Sequence, residues 1–114
     1  MDLSIIIVSY NAADFLKECI ESIKKNTKKL NYEIIVIDNT SSDNSVEMVM
    51  KEFPQVSVIE SRENLGFSKA NNLGTEKSKG RYVLFLNPDT VIYKDSLFKM
   101  VKFMDEHRDA GAAT

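Results

Sequence analysis

Four short apolar runs, each followed by a stretch with helical periodicity, constrain this chain more than any other feature. Leu3 to Val8 (Leu-Ser-Ile-Ile-Ile-Val) is β-branched and almost wholly apolar, as is Glu33 to Asp38 (Glu-Ile-Ile-Val-Ile-Asp). Val56 to Ile59 is a weaker version, and Arg81 to Leu86 (Arg-Tyr-Val-Leu-Phe-Leu) is the fourth. Continuous apolar runs of this length are the pattern of strands buried on both faces. Between and after them the period changes. Leu16, Cys19, Ile20 and Ile23 recur at i, i+3, i+4, i+7. So do Val46, Val49, Met50 and Phe53, then Phe67, Ala70, Asn71 and Gly74, then Leu97, Met100, Val101 and Met104. Each set predicts one buried stripe of an amphipathic helix. Asn11 with Asp14, and Asn44 with Glu47, have the spacing of capping boxes, and Pro54 stops the second helix. The alternation predicts an α/β, Rossmann-like, open and mainly parallel sheet with helices on both faces and right-handed crossovers.

The length of 114 residues suits one domain, spanning 1–114, with a real core. Fifteen Lys and Arg against 17 Asp and Glu leave a net charge of −2. With no basic tract, nucleic acid is excluded as the main partner. No apolar run approaches the ~18 residues that cross a bilayer, and Met1-Asp2-Leu3-Ser4 lacks the basic start of a signal peptide. A single Cys makes no internal disulfide, which fits a reducing, cytoplasmic location. The segment Asp109 to Thr114 reads as the approach to a fifth strand, so the chain is either a small complete domain or a piece truncated at its C-terminus from a longer protein.

In an open parallel sheet, ligands bind beyond the carboxyl ends of the strands. Those ends carry Ser9-Tyr10-Asn11, Asp38 to Asp43, Arg62 to Gly66, and Asn87-Pro88-Asp89-Thr90. The first turn has no Gly, which removes both a dinucleotide fingerprint and a P-loop. A phosphorylated ligand therefore needs its charge balanced by other means. Asp89, on a turn stiffened by Pro88, has the oxygen chemistry for Mg²⁺ or Mn²⁺; the competing reading makes Asn-Pro-Asp-Thr a plain turn with Asp89 capping the next helix. Asp38 can accept the N3–H of uracil or thymine, whereas cytosine presents an acceptor there; the competing reading of Asp38 and Asp43 is loop capping. Tyr10 either stacks on a base or covers the sheet end. Cys19 falls on a core stripe, and His107 near a helix end interacts with the dipole, as does the short patch Lys24 to Lys29, whose competing reading is a phosphate or membrane-surface contact. Asp105 and Glu106 read as a solvated helix face. No His/Cys cluster suits zinc, no Gly-x-Ser-x-Gly elbow suits a hydrolase, and the acids of a phosphoacceptor receiver domain are missing.

Four segments, in order, resemble the family 2 glycosyltransferases: Val8-Ser9-Tyr10-Asn11, Ile37 to Ser45, Asn64 to Gly74, and Phe85 to Thr90. Asn-Leu-Gly-Phe with Ala-Asn-Asn, and Asn-Pro-Asp, are most similar to the rhamnosyltransferase-like branch. The resemblance implies the nucleotide-sugar-binding half of a GT-A fold and a UDP- or dTDP-sugar donor. By the same analogy Ser9, Tyr10, Asn11 and Asp38 hold the base and ribose side, and Asn39 and Asp43 belong to the donor-binding set. Arg62, Gly66 and Phe67 lie near the rest of the donor, with Asn87 beside Asp89, the metal-binding acid for Mg²⁺ or Mn²⁺. Asn87 takes the first position of the family's Asp-x-Asp. The implied reaction is an inverting, metal-assisted transfer to the hydroxyl of a glycan or lipid-linked acceptor in polysaccharide or cell-surface glycan synthesis. The general base is expected beyond Thr114. Such an acceptor implies peripheral association of the full-length enzyme with the inner face of the membrane, and an unpaired sheet edge implies a homodimer. The alternative is a non-catalytic nucleotide-sugar-binding or assembly module.

Overall fold

The computed structural model describes residues 1–107. The expected fifth-strand approach at 109–114 lies outside them. The elements alternate as the periodicity requires: β1 (Leu3–Ser9), α1 (Ala13–Asn26), β2 (Tyr32–Asp38), α2 (Ser45–Glu52), β3 (Ser57–Glu60), α3 (Gly66–Lys77), β4 (Tyr82–Leu86) and α4 (Ser96–Glu106). The four strands form one parallel sheet in the order β3-β2-β1-β4. The chain thus steps from β1 outward to β3 and then crosses back to the far side of β1. A right-handed crossover puts its helix on opposite faces for opposite directions of travel. Accordingly α1 and α2 cover one face and α3 the other.

Side-chain alternation sorts the core the same way. Leu3, Ile5, Ile7, Ile34 and Val36 pack with Leu16, Cys19, Ile20 and Ile23 of α1, Val49 of α2, and Leu97 and Val101 of α4. Ile6, Ile35 and Ile37 face Ala70 of α3. Each large aliphatic chain so buried stabilises the fold by about 1.5–3 kcal/mol. Gly74 brings α3 close to the sheet: a Cβ there would lie 2.6 Å from Ile6 Cγ2.

Two stripe positions depart from expectation. Met50 is 62% exposed and Met48 packs on the core in its place. The eight-residue α2 turns Val49 and Met48 inward, and Phe53 follows at its C-cap. Phe67 is 59% exposed, because α3 meets the sheet through its small residues Ala70 and Gly74, while Phe67 sits in its first turn. The two capping boxes also fail to form. Ala12 and Asn44 are the N-caps of α1 and α2, and neither makes a side-chain cap bond. Pro54 follows the end of α2 as expected.

At the amino end of the sheet, Arg81 bonds to Asp2 (3.0 Å) and Asp105 (2.5 Å), and Tyr82 donates to Asp105 (2.8 Å). Asp105 is therefore a tether between β4 and α4, not a solvated helix residue. His107 is the C-cap residue of α4; its Nδ1 lies 2.9 Å from the Phe103 carbonyl and its ring stacks on Phe103. No helix among the described residues is long and apolar enough to cross a membrane.

Candidate functional site

The carboxyl ends of the strands form a polar rim. At its centre, Ser9 and Asp38 stand opposite each other in the β1–β2 register. Asp38 is 4% exposed and Ser9 is buried. Asp38 Oδ2 accepts the Ser41 N–H at 3.0 Å. Its Oδ1 and the Ser9 hydroxyl have no hydrogen-bond partner among the described residues. An unpaired buried polar group costs about 1–3 kcal/mol, so two side by side at a strand end point to a ligand that completes them. The third such atom, Thr27 Oγ1, lies apart at the C-cap of α1.

The loops around this pair are held by side chains. Asn11 Oδ1 accepts the Ser42 N–H at 2.7 Å and the Asp43 N–H at 3.3 Å, and Ser41 Oγ accepts the Asn11 N–H at 2.9 Å. Asn39 Oδ1 accepts the Leu65 N–H at 2.8 Å, and its Nδ2 donates to Asn64 Oδ1 at 2.9 Å. Asn39 therefore grips the loop that carries Arg62. Asn64 Oδ1 also accepts the N–H of Gly66, whose φ of +74° suits a residue without a Cβ. Asn11 and Thr40 also have positive φ, a conformation that costs energy and concentrates at functional sites. Tyr10 is 56% exposed on the rim.

Asp43 takes the loop-capping role that was one of its two expected readings, and it caps where the Asn11 and Asn44 boxes were expected to. Its Oδ2 accepts the N–H of Ala13, the first residue of α1, at 3.2 Å. Its Oδ1 accepts from Ser45, the first residue of α2, through the N–H (3.0 Å) and the hydroxyl. One carboxylate thus closes two helix N-termini, where negative charge is favoured. Burial alone would raise its pKa. The hydrogen bonds from Ser45 and Ala13 win and hold it below the ordinary carboxylate value of 3.8. A depressed folded-state pKa contributes stability above the unfolded value and loses it as pH falls through the folded one. Acid titration is therefore expected to remove this contribution below about pH 4. Asp43→Ala should lower unfolding free energy at pH 7 by about 1–2 kcal/mol, with Asp43→Asn milder. Urea melts of the three proteins at pH 7 and pH 3 check this. A deficit in Asp43→Ala that is equal at both pH values would remove the role.

On the other side of the rim, a turn bonded from Thr90 N–H to the Asn87 carbonyl (3.1 Å) carries Asn87, Pro88 and Asp89. Asp89 is exposed and its carboxylate has no hydrogen-bond or ion-pair partner among the described residues. The N-cap of α4 is Asp95, so Asp89 does not cap a helix. Among the described residues no group of three or more His, Cys, Asp or Glu could cage a metal. One free carboxylate beside one amide fits a hard cation only if phosphate oxygens and water complete its shell, which is how Mg²⁺ and Mn²⁺ are commonly held. Arg62, exposed beyond β3, also lacks a partner among the described residues. The Cys19 thiol is pushed up to about 11 by burial, with the Asp89 charge adding to it, so Cys19 is an inert core residue.

An open parallel sheet covered by helices on both faces, whose strand order reverses at β1 and whose carboxyl ends form a polar rim, defines an α/β domain of the doubly wound class. The chain belongs to glycosyl transferase family 2, whose family model matches residues 4–114. It is 34% identical over 113 residues to the minor teichoic acid biosynthesis protein GgaB of Bacillus subtilis (strain 168), covering 95% of this chain and 12% of that one. The S. aureus TarS 1–349 structure in complex with UDP-GlcNAc matches with a TM-score of 0.84 at 29% identity, covering 95% of this chain and 32% of TarS 1–349. The mannosyltransferase PcManGT of Pyrobaculum calidifontis, in complex with GDP-Man and Mn²⁺, shares the fold with a TM-score of 0.79 at 23% identity over 90% of this chain and 32% of that one. The chain thus spans a minor part of each of these proteins.

Proposed function

We propose that this chain is the donor-binding part of a glycosyltransferase that takes a hexosyl group from UDP- or dTDP-sugar for a cell-surface glycan. The observation that carries the reading is the buried, unpartnered pair Asp38 Oδ1 and Ser9 Oγ at adjacent strand ends. A pyrimidine base that donates N3–H to Asp38 relieves the carboxylate, and a carbonyl or ribose oxygen relieves the serine. The Tyr10 ring stacks on the base. Asn11, Asn39 and Asp43 keep the surrounding loops in place by the bonds described above. Gly66 and Phe67 line the route to the sugar.

Arg62 and the pair Asn87 and Asp89 face the diphosphate. A divalent cation, when bound, supplies positive charge against the leaving diphosphate, and Asp89 with Asn87 would hold it. Arg62 offsets the remaining charge as the bond to the anomeric carbon breaks. The acceptor hydroxyl attacks that carbon in one displacement, with inversion. The base that takes its proton belongs to the remainder of the enzyme, since the relatives are several times longer than this chain. Asp105 does not serve, because it is tied to Arg81 and Tyr82.

Calorimetry with UDP, with and without Mn²⁺, tests the reading. Binding that tightens with Mn²⁺ is expected, and absence of UDP binding in both conditions would overturn it. In Asp89→Ala the Mn²⁺-dependent gain should vanish while metal-free affinity stays. A gain that persists in that variant would strip Asp89 of its role.

A further inference from the structure

The acid-bearing segment after β4 runs nine residues, 87–95, without regular structure. Such a stretch would ordinarily leave Asp89 poorly placed. Three residues beyond Asp89, however, Ile92 is held by α1 at both of its backbone groups. Its N–H donates to Ser22 Oγ at 2.9 Å, in a buried bond. Its carbonyl accepts from Asn26 Nδ2 at 2.8 Å. Ser22 and Asn26 are four residues apart, so they lie on one face of the helix. The Ser22 hydroxyl donates in turn to the Cys19 carbonyl at 2.7 Å, which fixes its rotamer. The Asp95 N–H bonds to the Asn26 carbonyl at 3.0 Å, and the Ile92 side chain is buried in the α1 core cluster. The opposite end of α1 is fastened to the base-side loops through Asp43 and Ala13. α1 therefore links the two, bonded to the 38–45 loop at its N-terminus and to the 87–95 segment along its C-terminal half.

We propose that Ser22 and Asn26 are positioning residues for Asp89, making α1 the rigid spacer that sets where the cation-holding acid stands relative to the base site. The proposal rests on the donor-binding reading above. Neither residue touches the ligand; each acts through the backbone of Ile92. Ser22→Ala leaves the buried Ile92 N–H unpaired, and Asn26→Ala frees the carbonyl in a part-buried setting where folding is less at risk. Ser22→Thr keeps the hydroxyl, which a helical threonine can still direct to the preceding turn.

Calorimetry of UDP with and without Mn²⁺ on the full chain separates the possibilities, with electron paramagnetic resonance of Mn²⁺ reporting bound cation in the presence of UDP. In both alanine variants the Mn²⁺-dependent gain should fall roughly tenfold, while metal-free UDP affinity is unchanged and Ser22→Thr recovers most of the gain. A merely structural bond would leave the gain intact in folded protein. An intact gain in both alanine variants overturns the proposal and leaves the donor-binding reading standing. If the wild-type chain binds UDP with no Mn²⁺-dependent gain, the cation role of Asp89 fails and the proposal falls with it.

Discussion

UDP binding should weaken by about 1–3 kcal/mol, roughly five- to 150-fold, in Asp38→Ala. Asp38 Oδ1 is buried without a partner at the end of β2, so a uracil that loses it keeps an unpaired N3–H inside the site. Alanine also deletes the bond from the Ser41 N–H to Oδ2. Asp38→Asn isolates the base contact, because its amide oxygen can still accept from Ser41 while its NH₂ faces the base. That places donor against donor for uracil and donor against acceptor for cytosine. The asparagine variant is therefore expected to lose UDP affinity as alanine does and to shift preference toward CDP. Competition calorimetry of UDP and CDP on the wild-type chain and both variants measures this. Equal binding of the two nucleotides by the wild-type chain would remove Asp38 as the base reader.

The largest loss of stability should come from Gly80→Ala. A Cβ on Gly80 would stand 2.5 Å from the Ser4 amide nitrogen and 2.7 Å from the Leu3 carbonyl carbon. Both are backbone atoms of β1 and neither can rotate away. The Gly80 N–H also bonds to Ser4 Oγ at 2.8 Å, within a cluster that includes Glu33 and the Lys79 N–H. Overpacking there is expected to cost about 2–3 kcal/mol, or roughly 10 °C in Tm for a chain of this size. Gly66→Ala is the informative control. Nothing lies within 4 Å of its added Cβ, so only the positive φ opposes it, at about 1 kcal/mol. Thermal melts of both variants compare a steric clash with backbone strain. A Gly80→Ala protein as stable as Gly66→Ala would show that β1 can yield at Ser4.

Neither glycine effect was legible in the chain. Gly80 precedes a strand, and its neighbour Ser4 is 76 residues away. The site divides in the same manner. Asp38 and Asp89 follow apolar runs, so their place at strand ends came directly from the pattern. The role of Asn39 did not, and the loop-capping reading of Asp43 named neither helix that it closes. Asn39 works on Asn64 and Leu65 across the rim, and Asp43 closes a helix that begins 30 residues earlier. Asp105, read as solvated, is tied to β4. Phe67 and Met50 satisfied a helical stripe and are exposed all the same, because periodicity identifies a face without saying how far the sheet beneath it extends.

Local chemistry alone was enough for the strands, the helices, the direction of the sheet and the polar character of its carboxyl rim. Each follows from side-chain period, β-branching and the handedness of crossovers, all of which act over a few residues. The tertiary structure decided the strand order, which buried polar atoms lack partners, and the fastening of both the base-side loops and the 87–95 segment to α1. Those depend on hydrogen bonds and contacts between residues tens of positions apart, whose geometry exists only once the sheet has closed and excluded water from its ends.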